Sequence, residues 1–523
     1  MMSATPSEKL VLNLADASAT EALGAQLSLF ARPGDIITLS GDLGAGKTTL
    51  ARAVIRAMAP DAGTFEVPSP TFTLVQSYDF TRLDVSHYDF YRLSEEAEAL
   101  ELGFPGLSDA GIALVEWPDR ASGLLPAEHL EICIEDNNDP GRIATLTGTG
   151  SWAFRLGRMT EIAEFLATHG YGECKRTFLQ GDASARRYER LGSNPPVILM
   201  DSPAQPDGPP VRDGKPYSQI AHLAEDVSAF AGVASGLEQA GLSAPGILAA
   251  DYGKGMLIIE DLGDMVFGSM LNDPETDMSE PYRAAVDVLC HLAVQDLGAE
   301  IQIGSGVSHR IPPYDADALE IEAELLLDWL WPAIYGGEAP AERRAEYLAI
   351  WRELWPVLET HKPVWVLRDY HSPNLIWLPE REGLKRAGII DFQDAVLGHP
   401  AYDLASLLQD ARVDVPAERE AELLDYYCET RSAKQSDFDE KSFRQAYGVL
   451  AAQRNSKILG IFMRLKNRDG KPGYLKHIPR LSAYLDRTLS APHLAELSAW
   501  YDTWVPTENR IRAAQGDGNV SET

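Results

Sequence analysis

Residues 35–40, DIITLS, form a short β-branched apolar run that ends in a glycine-rich turn. KTTLARAVIRAMA then places Leu50, Val54 and Ile55 at helical spacing, so the order predicts strand, loop and helix. Further strands are predicted at TFTLVQSYDF, SHYDFYRL, GIALVEW and HLEICIE, with an acidic helix at SEEAEALEL; the first unit closes near RIATLTGTG. Around residues 147–158 glycine and threonine crowd together before MTEIAEFLATHGY takes up a new helical period, which predicts a domain boundary near residue 155. Beyond it VILMDSP and GMLIIEDLGD read as buried strands, and helical stretches dominate after residue 275, among them DALEIEAELLLDWLWPAIY and FRQAYGVLAAQRNSKILGIFMRL. The expected organisation is an α/β domain over 1–153, an α+β domain over 155–505 and a polar, disordered tail over 506–523.

Composition adds limits to this picture. With 523 residues, 45% apolar and 24% charged, the chain is too long for one core and too apolar for a disordered protein. Its 46 Lys+Arg against 78 Asp+Glu give a net charge of -32, which opposes non-specific binding to nucleic acid or anionic lipid. Cys133, Cys174, Cys290 and Cys428 show no CxxC spacing, so neither a metal ribbon nor a disulfide framework is expected. The first twenty residues lack a basic segment followed by an apolar run, and no stretch approaches the roughly 18 apolar residues of a spanning helix. The cytoplasm is the expected compartment.

Gly41, Gly46, Lys47 and Thr48 fit G-x-x-x-x-G-K-[ST] between a predicted strand and a predicted helix. Backbone N–H groups of such a loop curl around phosphates, Lys47 reaches the β and γ oxygens, and Thr48 can hold Mg²⁺, so ATP or GTP binding is expected. Asp89 in HYDFYRL and Glu116 at the end of GIALVEW are the candidate acids. By spacing alone Glu116 reads equally as a nucleotide-facing metal ligand and as a solvated strand end.

GDLGAGKTTL, VPSPTFTLVQSY, HYDFYRL, ELG and ALVEWPDR stand in the order and approximate spacing of the TsaE family, and the likeness spans residues 10–150. The resemblance implies an α/β P-loop NTPase with ATP held by Gly41, Leu43, Gly44, Ala45, Gly46, Lys47, Thr48 and Thr49. It further implies Mg²⁺ at Thr48 and Glu116, Asp89 assisting catalysis, and Thr71 near the γ-phosphate. The family acts with TsaB- and TsaD-like partners in placing threonylcarbamoyl on adenosine 37 of tRNA, so tRNA would be met only indirectly.

In LRDYHSPNL, Asp369 and Asn374 lie five apart, and IIDF sets Asp391 at the end of an apolar run. A kinase needs this set: Asp369 accepts the proton of an attacking hydroxyl, while Asn374 and Asp391 hold Mg²⁺ on the phosphates. Tyr370 and His371 depart from the protein-kinase pattern. D-x-H-x-x-N with Asp403 in GHPAYDLASLL resembles the aminoglycoside phosphotransferase branch, a two-lobed kinase-like α+β fold, in which Asp403 would brace the loop. Met200 occupies the position expected for a phosphate-pairing lysine, and Arg186 or Arg187 in GDASARRYERL is the candidate replacement; two solvent-facing arginines are the equal alternative. IIEDLGD resembles the linker between lobes, with Glu260 to Leu262 offering backbone groups to adenine.

GDASARRY, LMDSP, IIEDLGD, PPYD and AAQRNSKILGIFMRL together resemble the AmgK-type sugar kinases, which phosphorylate the anomeric hydroxyl of N-acetylmuramate and N-acetylglucosamine. Tyr314, Arg454 and Asn455 are candidates for the sugar end. The expected whole is a fusion of a TsaE-like ATPase with an amino-sugar kinase. Its rivals are a kinase of choline or homoserine, and an ATPase that regulates a C-terminal pseudokinase scaffold.

Overall fold

The computed structural model describes residues 6–59, 66–106, 111–137, 141–179, 186–271, 273, 275–304 and 306–516. It divides into Met1–Asp182 with Tyr188–Val197, and Ala183–Arg187 with Ile198–Thr523.

The first unit contains β1 (Ser7–Leu14), α1 (Ala17–Phe30), β2 (Ile36–Ser40), α2 (Lys47–Met58), β3 (Val75–Tyr78), β4 (Asp84–Asp89), α3 (Ala97–Glu101), β5 (Gly111–Glu116), β6 (Leu130–Asp136), β7 (Arg142–Thr149) and α4 (Ser151–Thr168). Seven strands form one sheet in the order β1-β7-β6-β2-β5-β4-β3. β2 runs parallel to β5 and β6, and β4 parallel to β5, while β1, β3 and β7 pair antiparallel. β5 is buried at every position, as a parallel strand covered on both faces must be. The register sets Leu39 and Asp89 both beside Glu116, so the loop after β2 and the acids ending β4 and β5 meet at one edge of the sheet.

The boundary expected at 153–155 falls inside α4. Trp152, Leu156 and Ile162 are buried, the helix packs on β1 and β7, and Arg155 donates to both Asp35 oxygens at 2.6 and 2.7 Å. The glycine and threonine cluster on which the expected boundary rests is the end of β7 plus Gly150, which precedes the helix with φ 60°. β8 (Arg176–Leu179) and β9 (Arg187–Leu191) pair antiparallel, with Arg176 on Glu189 at 2.6 Å. The residues between them, 180–185, lie outside the described residues.

In the second unit β10 (Val197–Asp201) neighbours the strand Met256–Glu260, which pairs antiparallel with Ile247–Asp251. Helix Val227–Gln239 starts on the Asp226 carboxylate, and helix Glu440–Asn467 on that of Asp439. Between them two short ladders, Val364–Val366 with Val396–Gly398 and Leu375–Trp377 with Ala387–Ile389, frame the loop that carries Asp369. The helix expected over 317–335 is interrupted by a π turn at Leu326–Leu330, where Pro332 cannot donate an N–H and crowds the preceding turn. The tail expected to be disordered from residue 506 instead forms helix Thr507–Gln515, because Arg510 is buried on Asp486 and anchors it. Residues 517–523 lie outside the described residues.

Candidate active sites

In the first unit the phosphate loop turns at Gly41, whose φ is 130° and whose Cβ, if it had one, would lie 2.2 Å from the Ile134 carbonyl oxygen; only glycine fits. Lys47 is 4% exposed, and its Nζ donates to the carbonyl oxygens of Gly41 and Asp42, each at 2.8 Å. The ammonium also sits 3.9 Å from the centroid of the Trp117 ring. Burial pushes its pKa down, opposed by Glu116, Asp89 and Asp42.

Thr48 Oγ1 donates to Glu116 Oε2 at 2.8 Å, and His87 Nε2 lies 2.9 Å from Glu116 Oε1. A carboxylate only accepts, so His87 Nε2 carries the proton, while its buried Nδ1 has no hydrogen-bond partner. Asp89 is held the same way: Thr71 Oγ1 donates to one oxygen at 2.7 Å, and the Tyr91 N–H to the other at 3.1 Å. A cavity of about 230 Å³ lies against Leu43, Gly44, Gly46, Lys47, Thr48, Thr49, Thr71, Asp89 and Glu116, with Trp117 at its wall. Gly41 and Ala45 shape the loop without lining it. The hydroxyl of Thr48 and the carboxylate of Glu116 are hard oxygen donors already in contact, a set that suits Mg²⁺.

In the second unit Asp403 accepts the N–H groups of Leu367 at 2.7 Å and Arg368 at 2.9 Å, which fixes Arg368 in the left-handed region, φ 67°. Asp410 accepts the Ser372 N–H at 2.8 Å and its hydroxyl as well. Asp369 is thus held from both sides. Burial would raise the Asp369 pKa, but the charges of His371, Lys457, Arg368 and Arg454 overcome it and hold the carboxyl below its ordinary value. Burial also pushes the His371 pKa down, against the pull of Asp410 and Asp369.

Asn374 Nδ2 donates to the Asp369 carbonyl at 3.0 Å and lies 3.4 Å from Asp391 Oδ2, so one amide ties the loop to the second acid. Gln393 and Arg186 both reach Asp391 Oδ1, at 3.1 and 2.9 Å. Arg187 goes elsewhere, to Asp201 at 2.9 Å, directly after Met200. The two arginines, equal in the sequence, therefore differ: Arg186 faces the acid-amide cluster and Arg187 braces β10. The Asn374 and Asp391 oxygens, like those of Thr48 and Glu116, suit a hard divalent cation. In the expected linker the Glu260 N–H is already bound to the Gly246 carbonyl at 2.9 Å, and its carboxylate to Arg381 at 2.6 Å. Leu262 packs on Ile376 and Leu378.

Tyr314, Arg454 and Asn455 belong to buried networks. Tyr314 donates to Glu322, while Arg454 and Asn455 bond Gln409 at 3.2 and 2.7 Å. Glu322 is the hub that sequence reasoning missed: Arg368, Lys457 at 2.7 Å, Tyr314 and Gln453 at 3.3 Å converge on it. Burial alone would raise its pKa; Arg368 and Lys457 bring it down to about 2. Nothing in EIEAELLLD marks Glu322 apart from Glu320 and Glu324, which are also buried. His87 was findable, since strand alternation puts it on the face that carries Asp89.

The family model of threonylcarbamoyl adenosine biosynthesis protein TsaE matches residues 14–144, and that of the phosphotransferase enzyme family matches residues 175–440. An N-acetylmuramate/N-acetylglucosamine kinase of Caulobacter vibrioides is 41% identical over 358 residues, 66% of this chain and 97% of the relative. The TsaE protein of Bacillus subtilis is 40% identical over 152 residues, 29% of this chain and 89% of the relative. The chain belongs to both the TsaE and the phosphotransferase enzyme families. A kinase of the same name from Pseudomonas aeruginosa is 32% identical over 347 residues, 64% of this chain and 91% of the relative. The TsaE part holds the P-loop cavity, and the phosphotransferase part holds Asp369, Asn374 and Asp391. The fold is accordingly an α/β P-loop NTPase joined to a kinase-like α+β phosphotransferase, and the chain is an ATP- and Mg²⁺-using enzyme in both parts. No described helix is long and apolar enough to cross a membrane.

Proposed function

We propose that this chain is a bifunctional cytoplasmic enzyme: an ATPase that serves threonylcarbamoyladenosine-37 formation in tRNA, fused to a kinase of the anomeric hydroxyl of N-acetylmuramate and N-acetylglucosamine. The functional boundary is drawn between α4 and β8, since α4 is committed to the first sheet. The observation that carries the reading is the Asn374 amide bound to the Asp369 carbonyl and facing Asp391, which sets proton acceptor and metal acid in one frame. The names of the relatives supply the substrate class.

In the kinase part Asp369, ionised, accepts the proton of the sugar hydroxyl as it attacks. Asn374 and Asp391 hold Mg²⁺, which neutralises charge on the transferring phosphoryl group when bound. Arg186, now on Asp391, stands where a cation for the phosphates is needed, with Met200 in the lysine's place. Glu260 and Leu262 offer carbonyl and N–H groups to adenine. In the ATPase part Lys47 moves from the Gly41 and Asp42 carbonyls to the phosphates. Thr48 and Glu116 hold the metal there, and Asp89 with Thr71 faces the γ-phosphate. A net charge of -32 favours tRNA contact through TsaB- and TsaD-like partners rather than directly.

The test is sugar-dependent ADP release by the full chain, with the product read as a sugar 1-phosphate by phosphorus NMR. Asp369→Asn should lower it by about 10²–10⁴-fold. Turnover with choline or homoserine and with neither sugar would overturn the kinase reading.

A further inference from the structure

Helix Glu440–Asn467 is buried from Ala446 to Leu465 at every position except Lys457, Ile458, Ile461 and Arg464. These four fall at i, i+1, i+4 and i+7, one stripe on one face, so a helix otherwise enclosed by protein opens along a single line. One end of the stripe is at the chemistry. Lys457 pairs with Glu322 at 2.7 Å, and its charge acts on Asp369. Arg464 lies about 10 Å further along the helix axis, nearly in line, since seven residues make almost two turns.

Arg464 is unlike its neighbours. In this part of the chain Arg368, Arg352, Arg344 and Arg487 each rest on a buried glutamate. Arg464 makes no ion pair among the described residues: its guanidinium lies 5.5 Å from the Tyr217 ring and hydrogen-bonds the Tyr217 side chain, and its buried Nε has no hydrogen-bond partner. The nearby Asp469 is taken by Arg468 at 2.7 and 3.0 Å. A partly desolvated cation without a counter-ion is costly, and in a protein with 78 acids to 46 bases a carboxylate was easy to supply. With one donor on the neutral Tyr217 side chain and no carboxylate paired to it, the arginine keeps its charge for an anion that arrives from outside.

We infer that Arg464 receives the carboxylate of the lactyl group on C3 of N-acetylmuramate, with Ile458 and Ile461 beneath the sugar ring. The inference rests on the amino-sugar reading above and adds what separates the two sugars. N-acetylglucosamine has a hydroxyl at C3 and no charge to offer. With the anomeric hydroxyl at Asp369, a C3 substituent extends away from the base, the direction in which the stripe runs. The planar guanidinium offers two parallel N–H donors to a carboxylate, which a lysine cannot.

The experiment measures kcat/KM of the full chain for both sugars, in wild type, Arg464→Gln and Arg464→Lys. Arg464→Gln should lose about 10- to 100-fold for N-acetylmuramate, mainly in KM, the size of one charge-assisted contact. N-acetylglucosamine should stay within about twofold, which also shows that the variant is folded. Arg464→Lys should recover part of the loss. An equal loss for both sugars makes Arg464 a structural residue and overturns the inference, as does an unchanged ratio. If the wild type accepts both sugars and the ratio does not move, only this inference falls. If the wild type accepts neither, the amino-sugar reading falls and takes it along; acceptance of N-acetylglucosamine alone overturns the lactyl site.

Discussion

Lys47 shows how a single residue balances its surroundings before any phosphate arrives. Its ammonium is spent on two carbonyls of its own loop and on an aromatic face. Lys47→Ala should weaken ATP binding to the first unit beyond detection by calorimetry, leaving sugar-dependent turnover intact. His87 acts one step back, through Glu116. Its loss in His87→Ala should raise the Mg²⁺ concentration needed for half-maximal ATPase activity by about 10- to 100-fold, the usual cost of removing a residue that orients a metal ligand. A merely supportive packing role would lower stability and leave the metal titration in place. Asp369 carries a pH prediction. Its folded pKa lies below the ordinary 3.8, so the base form persists downward in pH. The acid limb of kcat/KM for sugar phosphorylation should therefore not fall between pH 5 and 7. At this scale the P-loop and the Asp369, Asn374 and Asp391 set were legible because phosphate chemistry demands fixed residue types at fixed spacing. Glu322 was not, since a buried acid and an exposed one look alike in sequence.

At the scale of elements, the loop from residue 367 to 374 is shaped by acids that lie far from it in the chain. Asp403 and Asp410 hold its backbone, and Glu322 holds Arg368. Removing the hub as Glu322→Gln leaves Arg368 and Lys457 without their buried partner. We expect a loss of about 3–5 kcal/mol in denaturant unfolding of the phosphotransferase part. Linkage gives the direction in acid. The Glu322 pKa is about 2 folded against an ordinary 4.5, so its contribution is present above pH 4.5 and is lost as pH falls toward 2. Asp403 runs the other way: burial lifts it to about 7, so the fold favours its protonated form, and that preference fades as pH rises through 7. Glu322→Gln should flatten the acid limb of the stability profile and leave the Asp403 limb in place. The strands and the long helix were readable from periodicity. The π turn at Leu326–Leu330 was not, because it answers to how Pro332 sits in its neighbours rather than to any repeat.

For the molecule as a whole, two sets of ordered motifs identified two families, yet the division between them was misplaced by about a helix. Gly148 and Gly150 in RIATLTGTG look like a linker, but Gly148 lets the backbone of Trp152 approach β7, where a Cβ would lie 2.8 Å away. A polypeptide ended at residue 153 would strip α4 from β1 and β7 and leave the Asp35 carboxylate without Arg155. One ended at residue 168 keeps both. The longer piece should melt cooperatively and bind ATP, whereas the shorter should show no cooperative transition by circular dichroism.

The aromatic lid over Lys47 has an optical consequence. The indole of Trp117 is in contact with a cation that must move when phosphate enters, and a charge so close to an indole shifts the energy of its excited state. Within residues 1–168 the only other indole belongs to Trp152, a buried residue of α4 that does not line the cavity. The emission of that piece should change in colour and intensity as nucleotide is added and should stay constant in Trp117→Phe, so the ATPase carries its own dye.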